Sequence, residues 1–208
     1  MKKKANKIVV IMTDTQRTDY LGCYGNKDMK TPNLDRLASE GMRFDEAYTC
    51  QPVCGPARSA IFTGTYPHSN GSWGNSMALN QQSRTIGQRM QDKGFKTAYV
   101  GKWHLDGGDY FGYGECPQGW DPDYWYDMRC YLEELSHEDR VRSRKFGTIY
   151  DDDFDQDFTY GHRCSDRAID FLEKHNDDDF FLVVSYDEPH GPSLCPPKYV
   201  EMYEDYQF

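Results

Sequence analysis

Three residues near position 55 have the types and spacing of a reactive site at the start of a helix. Cys54 is followed by Pro56 and then by Arg58. Proline suits the first helical turn because its missing N–H costs nothing there, so the pattern predicts a helix that opens at Pro56. Free N–H groups and the Arg58 cation would then lower the pKa of the Cys54 thiol and stabilise an anion beside it. The alternative interpretation is a buried structural cysteine ahead of a short helix.

A longer pattern around Cys54 adds to this interpretation. Cys-x-Pro-x-Arg, followed by four residues and Thr63-Gly64, resembles the signature of the type I sulfatases, members of the alkaline phosphatase superfamily. The resemblance implies that a formylglycine-generating enzyme oxidises Cys54 and that the hydrated formylglycine is the nucleophile, assisted by Arg58. Phosphatases of the protein tyrosine phosphatase type instead need His-Cys with five residues before the arginine, which this segment does not provide.

A candidate metal ligand follows the first apolar run. Residues 7–13 are apolar or β-branched after Lys7, which predicts a strand buried on both faces of a parallel sheet. Asp14 would lie at its carboxyl end, where α/β sheets place their sites. In the sulfatase resemblance this is the first calcium ligand, and Thr15 stands where many members carry a second Asp. The resemblance implies Ca²⁺, or alternatively Mg²⁺, held by Asp14, Thr15 and the side chain at position 54.

A cation and an imidazole follow the predicted strand 96–100. Lys102 and His104 are two positions apart, which predicts that their side chains face the same side of an extended segment. Such a pair can hold an anionic oxygen and move a proton. Gly-Lys-x-His also resembles a sulfatase motif, in which the lysine binds sulfate and the histidine contacts formylglycine. A solvated lysine and a core histidine are the alternative.

A second histidine follows the predicted buried strand 180–185. Pro-His-x-Pro at residues 189–192 resembles a fourth sulfatase motif, and the resemblance makes His190 the general acid and a substrate contact. Asn75, in the loop 66–80, is the candidate for a polar contact to a bound anion. Phosphonate monoester hydrolases share this framework but usually lack the pair at 102 and 104, so a sulfatase is favoured over a phosphonate or phosphate ester hydrolase.

The remaining patterns predict the elements that position these residues. Thr31 with Pro32 and Gly41 bound one helix, a capping box at Thr85 begins another, and apolar spacing predicts a third over 159–175. Residues 42–48 are predicted to form a strand. Residues 151–157 are predicted to form a solvated acidic loop rather than a calcium loop. The predicted fold is α/β, a mainly parallel or mixed sheet flanked by helices and similar to the alkaline phosphatase core.

The resemblance also predicts the organisation of the chain. It implies that residues 1–208 are the N-terminal part of a sulfatase catalytic domain that is truncated at its C-terminus, because the family's later metal and sulfate ligands have no match after His190. Residues 106–150 are predicted to be an irregular, aromatic-rich insertion that lines the substrate entrance or packs beneath a loop. An inactive, truncated binding protein is the non-enzymatic alternative.

Composition limits the partners. The 208 residues carry a formal net charge of −10, which argues against nonspecific binding to nucleic acid or anionic membranes. Seven cysteines without a CxxC pair favour neither a disulfide framework nor a zinc site. The expected partner is a small-molecule or glycan sulfate ester. The sequence has no signal peptide, which predicts a cytoplasmic protein, or a periplasmic or secreted one if such a segment was removed.

Overall fold

The computed structural model describes residues 5–145, 154–192 and 194–206. A parallel sheet with the strand order β1-β4-β2-β3 forms its centre. The strands are β1 (Lys7–Met12), β2 (Lys96–Gly101), β3 (Trp125–Tyr126) and β4 (Phe180–Ser185). The predicted α/β class with a parallel sheet is therefore confirmed.

Helices lie on both faces of this sheet. The helices of the described residues are α1 (Pro32–Glu40), α2 (Cys54–Thr63), α3 (Pro67–Asn70), α4 (Ile86–Asp92), α5 (Met128–Glu134), α6 (His137–Arg142), α7 (Tyr160–Lys174) and α8 (Pro197–Val200). Helices α5 and α7 pack on one face of the sheet, and α2 and α4 pack on the other. Short 3₁₀ turns occur at Thr18–Tyr20, Gly22–Tyr24, Pro122–Tyr124, Gln156–Phe158 and Glu201–Tyr203.

Strand β4 connects two hydrophobic clusters because its side chains alternate across the sheet. Phe180, Leu182 and Val184 pack in a cluster with residues of α5 and α7. Phe181 and Val183 pack in the other cluster with Phe62 of α2 and aromatic residues near β2. Every residue of β4 is buried, as the apolar run at 180–185 predicts.

The boundary signals of two predicted helices are confirmed. The Thr85 N–H donates to Gln88 Oε1 at 2.8 Å, and the Gln88 N–H donates to Thr85 Oγ1 at 3.4 Å, which forms the capping box that opens α4. Helix α7 begins after Thr159, whose hydroxyl accepts from the N–H of His162. These caps satisfy N–H groups that the first turn leaves free.

Several local predictions are wrong. Helix α2 begins at Cys54 itself rather than at Pro56, so Cys54 lies within the first turn. No strand forms over residues 42–48, all of which are described. The segment 106–145 contains β3, α5 and α6 and is not irregular, while 146–153 lie outside the described residues. The short helices α5 and α6 lack a long apolar repeat, so hydrophobic periodicity did not predict them.

The prediction that β1 is buried on both faces is also wrong for the described residues. Ile8, Val9 and Ile11 are 40%, 43% and 63% exposed, although all three belong to the predicted apolar run. The cause is position, since β1 pairs with β4 on one side and forms an edge of the described sheet. Within the described ranges, no helix combines the length and apolarity needed to cross a bilayer.

Candidate active site

Three charged side chains meet where parallel strands end. Asp14 follows β1, Lys102 follows β2 and Asp187 follows β4, and the shared register brings these ends to one edge. The Lys102 ammonium lies 2.7 Å from Asp14 Oδ2 and 3.0 Å from Asp187 Oδ1. Lys102 is only 2% exposed, so its charge is balanced by two carboxylates rather than by water.

The first turn of α2 adds a thiol and a guanidinium to this cluster. The Cys54 Sγ lies 3.7 Å from Asp14 Oδ1. Arg58 donates to Asp14 Oδ2 at 3.3 Å, to the Lys102 carbonyl at 2.6 Å and to Ser185 Oγ at 2.7 Å. These contacts with the strand ends fix α2 to the sheet, and the Arg58 charge still acts on the Cys54 thiol.

The electrostatics of Cys54 differ from the sequence prediction. Burial, and then the negative charge of Asp14, raise the pKa of the Cys54 thiol despite the nearby cations Lys102 and Arg58. The prediction of a lowered thiol pKa is therefore wrong, because sequence spacing did not show that a carboxylate faces the sulfur. Burial would also raise the pKa of Asp14, but Lys102 and Arg58 outweigh it and lower that pKa.

His104 lies close to the same cations but is not on a regular extended segment. Its φ is +61°, in the left-handed region that non-glycine residues rarely adopt. Burial, and then the charges of Lys102 and Arg58, lower the pKa of His104 to about 4. The imidazole is therefore neutral near neutral pH and keeps a lone pair that can accept a proton.

His190 belongs to a network with Tyr110 and Asp187, in which sequence reasoning did not single out Tyr110. The Tyr110 hydroxyl donates to Asp187 Oδ2 and lies 3.2 Å from His190 Nδ1. The same nitrogen lies 2.9 Å from the carbonyl of Gly191. Tyr110 appeared in the sequence only as one of many aromatic residues after the Gly-Lys-x-His segment, and nothing in its type indicated this position.

Asn75 and Thr15 have local roles in the structure. The Asn75 Oδ1 accepts the N–H of Gly55 at 2.9 Å, so Asn75 caps the start of α2 beside Cys54. Its predicted contact with an anion stays a prediction. Thr15 has a φ of +59°, which is unusual for a β-branched residue. Backbone strain of this kind clusters at functional sites.

The described residues do not complete a calcium site. Calcium takes six to eight oxygen ligands, whereas the Asp14 carboxylate is already paired with Lys102 and Arg58. Among the described ranges, no group of three or more His, Cys, Asp or Glu side chains is arranged to hold a metal ion. The predicted ligand set of Asp14, Thr15 and the side chain at 54 therefore stays a prediction.

Comparison with known proteins extends these observations. The family model "Sulfatase" matches residues 6–207. The uncharacterized sulfatase YidJ of Escherichia coli is 46% identical over 211 residues, covering 99% of this chain and 42% of that protein. The N-acetylglucosamine-6-O-sulfatase of Bacteroides thetaiotaomicron is 30% identical and is covered over 34% of its length.

A solved structure has the same architecture. It is a complex of an enzyme with its substrate D-glucosamine-2-N,6-O-disulfate, and it aligns with a TM-score of 0.73 and 30% identity over 99% of this chain and 39% of that one. The chain thus spans less than half the length of these relatives. With the family match over nearly all of its residues, and with Cys54, Lys102 and Arg58 grouped at the strand ends, this chain belongs to the sulfatase family.

Proposed function

We propose that the protein is a sulfuric ester hydrolase that uses a formylglycine made from Cys54. The observation that carries the proposal is the position of Cys54 in the first turn of α2, 3.7 Å from Asp14 and beside two cations. A raised thiol pKa fits poorly with direct thiolate catalysis. It is compatible with a site in which the cysteine is a precursor and the working group carries oxygen.

The cations and histidines have complementary roles in this proposal. Lys102 and Arg58 spread the negative charge of the sulfate group, in a buried environment where such contacts are strong. His190 gives a proton to the departing alcohol. His104, neutral because its pKa is about 4, accepts a proton when the sulfate is released. The formylglycine hydrate supplies one hydroxyl for attack on sulfur and a second whose deprotonation frees the sulfate.

Calcium is part of the proposal through the family, but no step above depends on it. The residues given to it are Asp14, Thr15 and position 54, with Mg²⁺ as the alternative ion. Asp14, which is paired with Lys102 and Arg58, would supply only one ligand of such a site. The formylglycine-generating enzyme is the proposed maturation partner, since the oxidation of Cys54 needs an external oxidant and a catalyst.

The proposed substrate is a monoester of sulfate, and a carbohydrate sulfate is favoured over an aryl sulfate. Two matches at 30% identity support this choice, a sequence named as an N-acetylglucosamine-6-O-sulfatase and a structure solved with a disulfated glucosamine. Sugar hydroxyls are poor leaving groups, so a general acid such as His190 is required more strongly than with an aryl sulfate.

The test is to express the full-length protein as encoded together with a formylglycine-generating enzyme. Peptide mass spectrometry across Cys54 is expected to find the aldehyde, and N-acetylglucosamine-6-O-sulfate is expected to be hydrolysed. Cys54→Ala should abolish turnover, and its matched control Cys23→Ala, in the 3₁₀ turn Gly22–Tyr24, should not. Unmodified Cys54 in active protein would contradict the proposal.

Two alternatives have separate signatures. A phosphonate or phosphate ester hydrolase would cleave 4-nitrophenyl phosphate or a phenyl phosphonate ester faster than the sulfate. An inactive binding protein would carry unmodified Cys54 and hydrolyse none of these esters, while still binding inorganic sulfate through Lys102 and Arg58.

A further inference from the structure

Tyr110 contacts Lys102 through its ring and His190 through its hydroxyl. The Lys102 ammonium lies 4.5 Å from the centre of the Tyr110 ring, a cation–π distance. The Arg144 guanidinium lies 5.5 Å from the same ring. The hydroxyl reaches Asp187 and His190, so a single side chain contacts the proposed sulfate-binding lysine and the proposed general acid.

The hydrogen bonds decide where the protons lie. Asp187 Oδ1 is 3.0 Å from the Lys102 ammonium, which favours the ionised carboxylate, and an ionised carboxylate only accepts. The Tyr110 O–H therefore donates to Asp187 and presents its lone pairs to His190. Burial, and then Asp187, raise the pKa of Tyr110, so the phenol keeps its proton.

His190 Nδ1 then faces two acceptors. One is the Tyr110 oxygen at 3.2 Å and the other is the Gly191 carbonyl at 2.9 Å. A carbonyl cannot donate and the Tyr110 hydrogen is given to Asp187, so the two contacts together favour the hydrogen on Nδ1. The neutral imidazole has its free lone pair on Nε2, and the proton taken up there is the one available for transfer.

We infer that Tyr110 is a positioning residue for His190: its hydroxyl, oriented by Asp187, acts with the Gly191 carbonyl to hold the hydrogen on Nδ1 and leaves Nε2 as the nitrogen that exchanges a proton with the leaving alcohol. This inference rests on the proposed function, in which His190 is the general acid. It goes beyond the family motifs, because Tyr110 lies in the loop between the Gly-Lys-x-His segment and β3. No proton is transferred to or from Tyr110.

The first experiment compares Tyr110→Phe with wild type in the full-length protein. Phenylalanine keeps the ring that packs on Lys102 and removes the hydroxyl alone. We expect kcat to fall with little change in KM, by roughly tenfold or more on N-acetylglucosamine-6-O-sulfate and by much less on 4-nitrophenyl sulfate, because a good leaving group needs little protonation. Tyr113→Phe is the matched control, since Tyr113 is in the same loop and 60% exposed.

The second readout does not need activity. Nitrogen-15 NMR of the histidine rings, assigned with His190→Gln, is expected to show the Nδ1–H form in wild type and a partial shift toward the Nε2–H form in Tyr110→Phe, which keeps the Gly191 carbonyl and loses the Tyr110 oxygen as an acceptor. An unchanged tautomer, or equal losses on both substrates, would overturn the inference and leave Tyr110 with a packing role. If wild type hydrolyses no sulfate ester but the tautomer shifts, the proposed function fails while the positioning by Tyr110 stands.

Discussion

At the scale of single residues, the candidate site is a balance of buried charges. Asp14 and Asp187 face Lys102, and Arg58 adds a second cation to Asp14. Residue type and spacing, together with the sulfatase resemblance, selected Asp14, Lys102 and Arg58 as candidates. They were insufficient to give the direction of the Cys54 pKa, which depends on a carboxylate 40 positions away in sequence.

His104 gives a pH prediction at this scale. Its pKa falls from 6.5 to about 4 on folding, so the unfolded chain binds the proton more readily in between. The contribution of His104 to the free energy of unfolding is therefore fully retained above about pH 6.5, and it is lost as the pH falls toward about 4. Urea denaturation should therefore show a larger loss of stability between about pH 7 and about pH 4.5 in wild type than in His104→Asn, by on the order of 2 kcal/mol.

Asparagine is the suitable replacement because it tolerates the positive φ of position 104 and does not titrate. His137→Asn, on the exposed start of α6, is the control for a general histidine effect. If the free energy of unfolding changed equally with pH in wild type and His104→Asn, protonation of the imidazole would carry no energetic cost in the folded state.

At the scale of elements, the sequence predicted the parts that have a strong local signal. β1, β2, β4 and the helices α1, α4 and α7 follow from apolar runs, caps and periodic spacing. The sequence did not predict α5, α6 and β3. They lie in an aromatic segment whose apolar residues show no clear helical or strand repeat. The exposure of β1 was missed for another reason, because position in a sheet is set by long-range pairing.

Gly101 is where two of these elements approach most closely. Its φ is +115°, and a Cβ there would lie 1.9 Å from the carbonyl oxygen of Ser185. We expect Gly101→Ala to separate the ends of β2 and β4 and to cost about 3 kcal/mol or more, from strain and overpacking together. Thermal or urea unfolding measures this cost.

Gly94→Ala is the matched control for the backbone strain alone. Gly94 has a φ of +80°, but a Cβ there would have no neighbour within 4 Å. Its expected cost is about 1 kcal/mol. Equal costs at the two positions would mean that the contact with Ser185 is relieved by a small backbone shift.

At the scale of the whole molecule, the described sheet has an apolar edge. Ile8, Val9 and Ile11 of β1 are exposed, and the described residues pair β1 on one side alone. Unpaired apolar edges promote association between chains. That the domain extends through 1–208 as part of a larger catalytic domain stays a prediction, since a length comparison with relatives does not test it.

A preparation of residues 1–208 should therefore associate as its concentration rises, and Ile11→Lys should reduce this association. A lysine on the edge opposes pairing through its charge. Sedimentation velocity over a concentration series is the measurement, with Ile169→Lys as the control because Ile169 is 53% exposed on α7 and away from β1. A monomer at every concentration, without either substitution, would contradict this expectation.

The aromatic cluster beneath the site has an optical consequence. Trp103, which lies between Lys102 and His104 in sequence, has its ring centre 6.2 Å from that of Trp120 and 5.8 Å from that of Trp125. Indoles held in fixed, asymmetric surroundings give near-ultraviolet circular dichroism, so this signal should be present while the packing is native and vanish when it is lost. The protein thus carries a label-free reporter next to its candidate catalytic lysine.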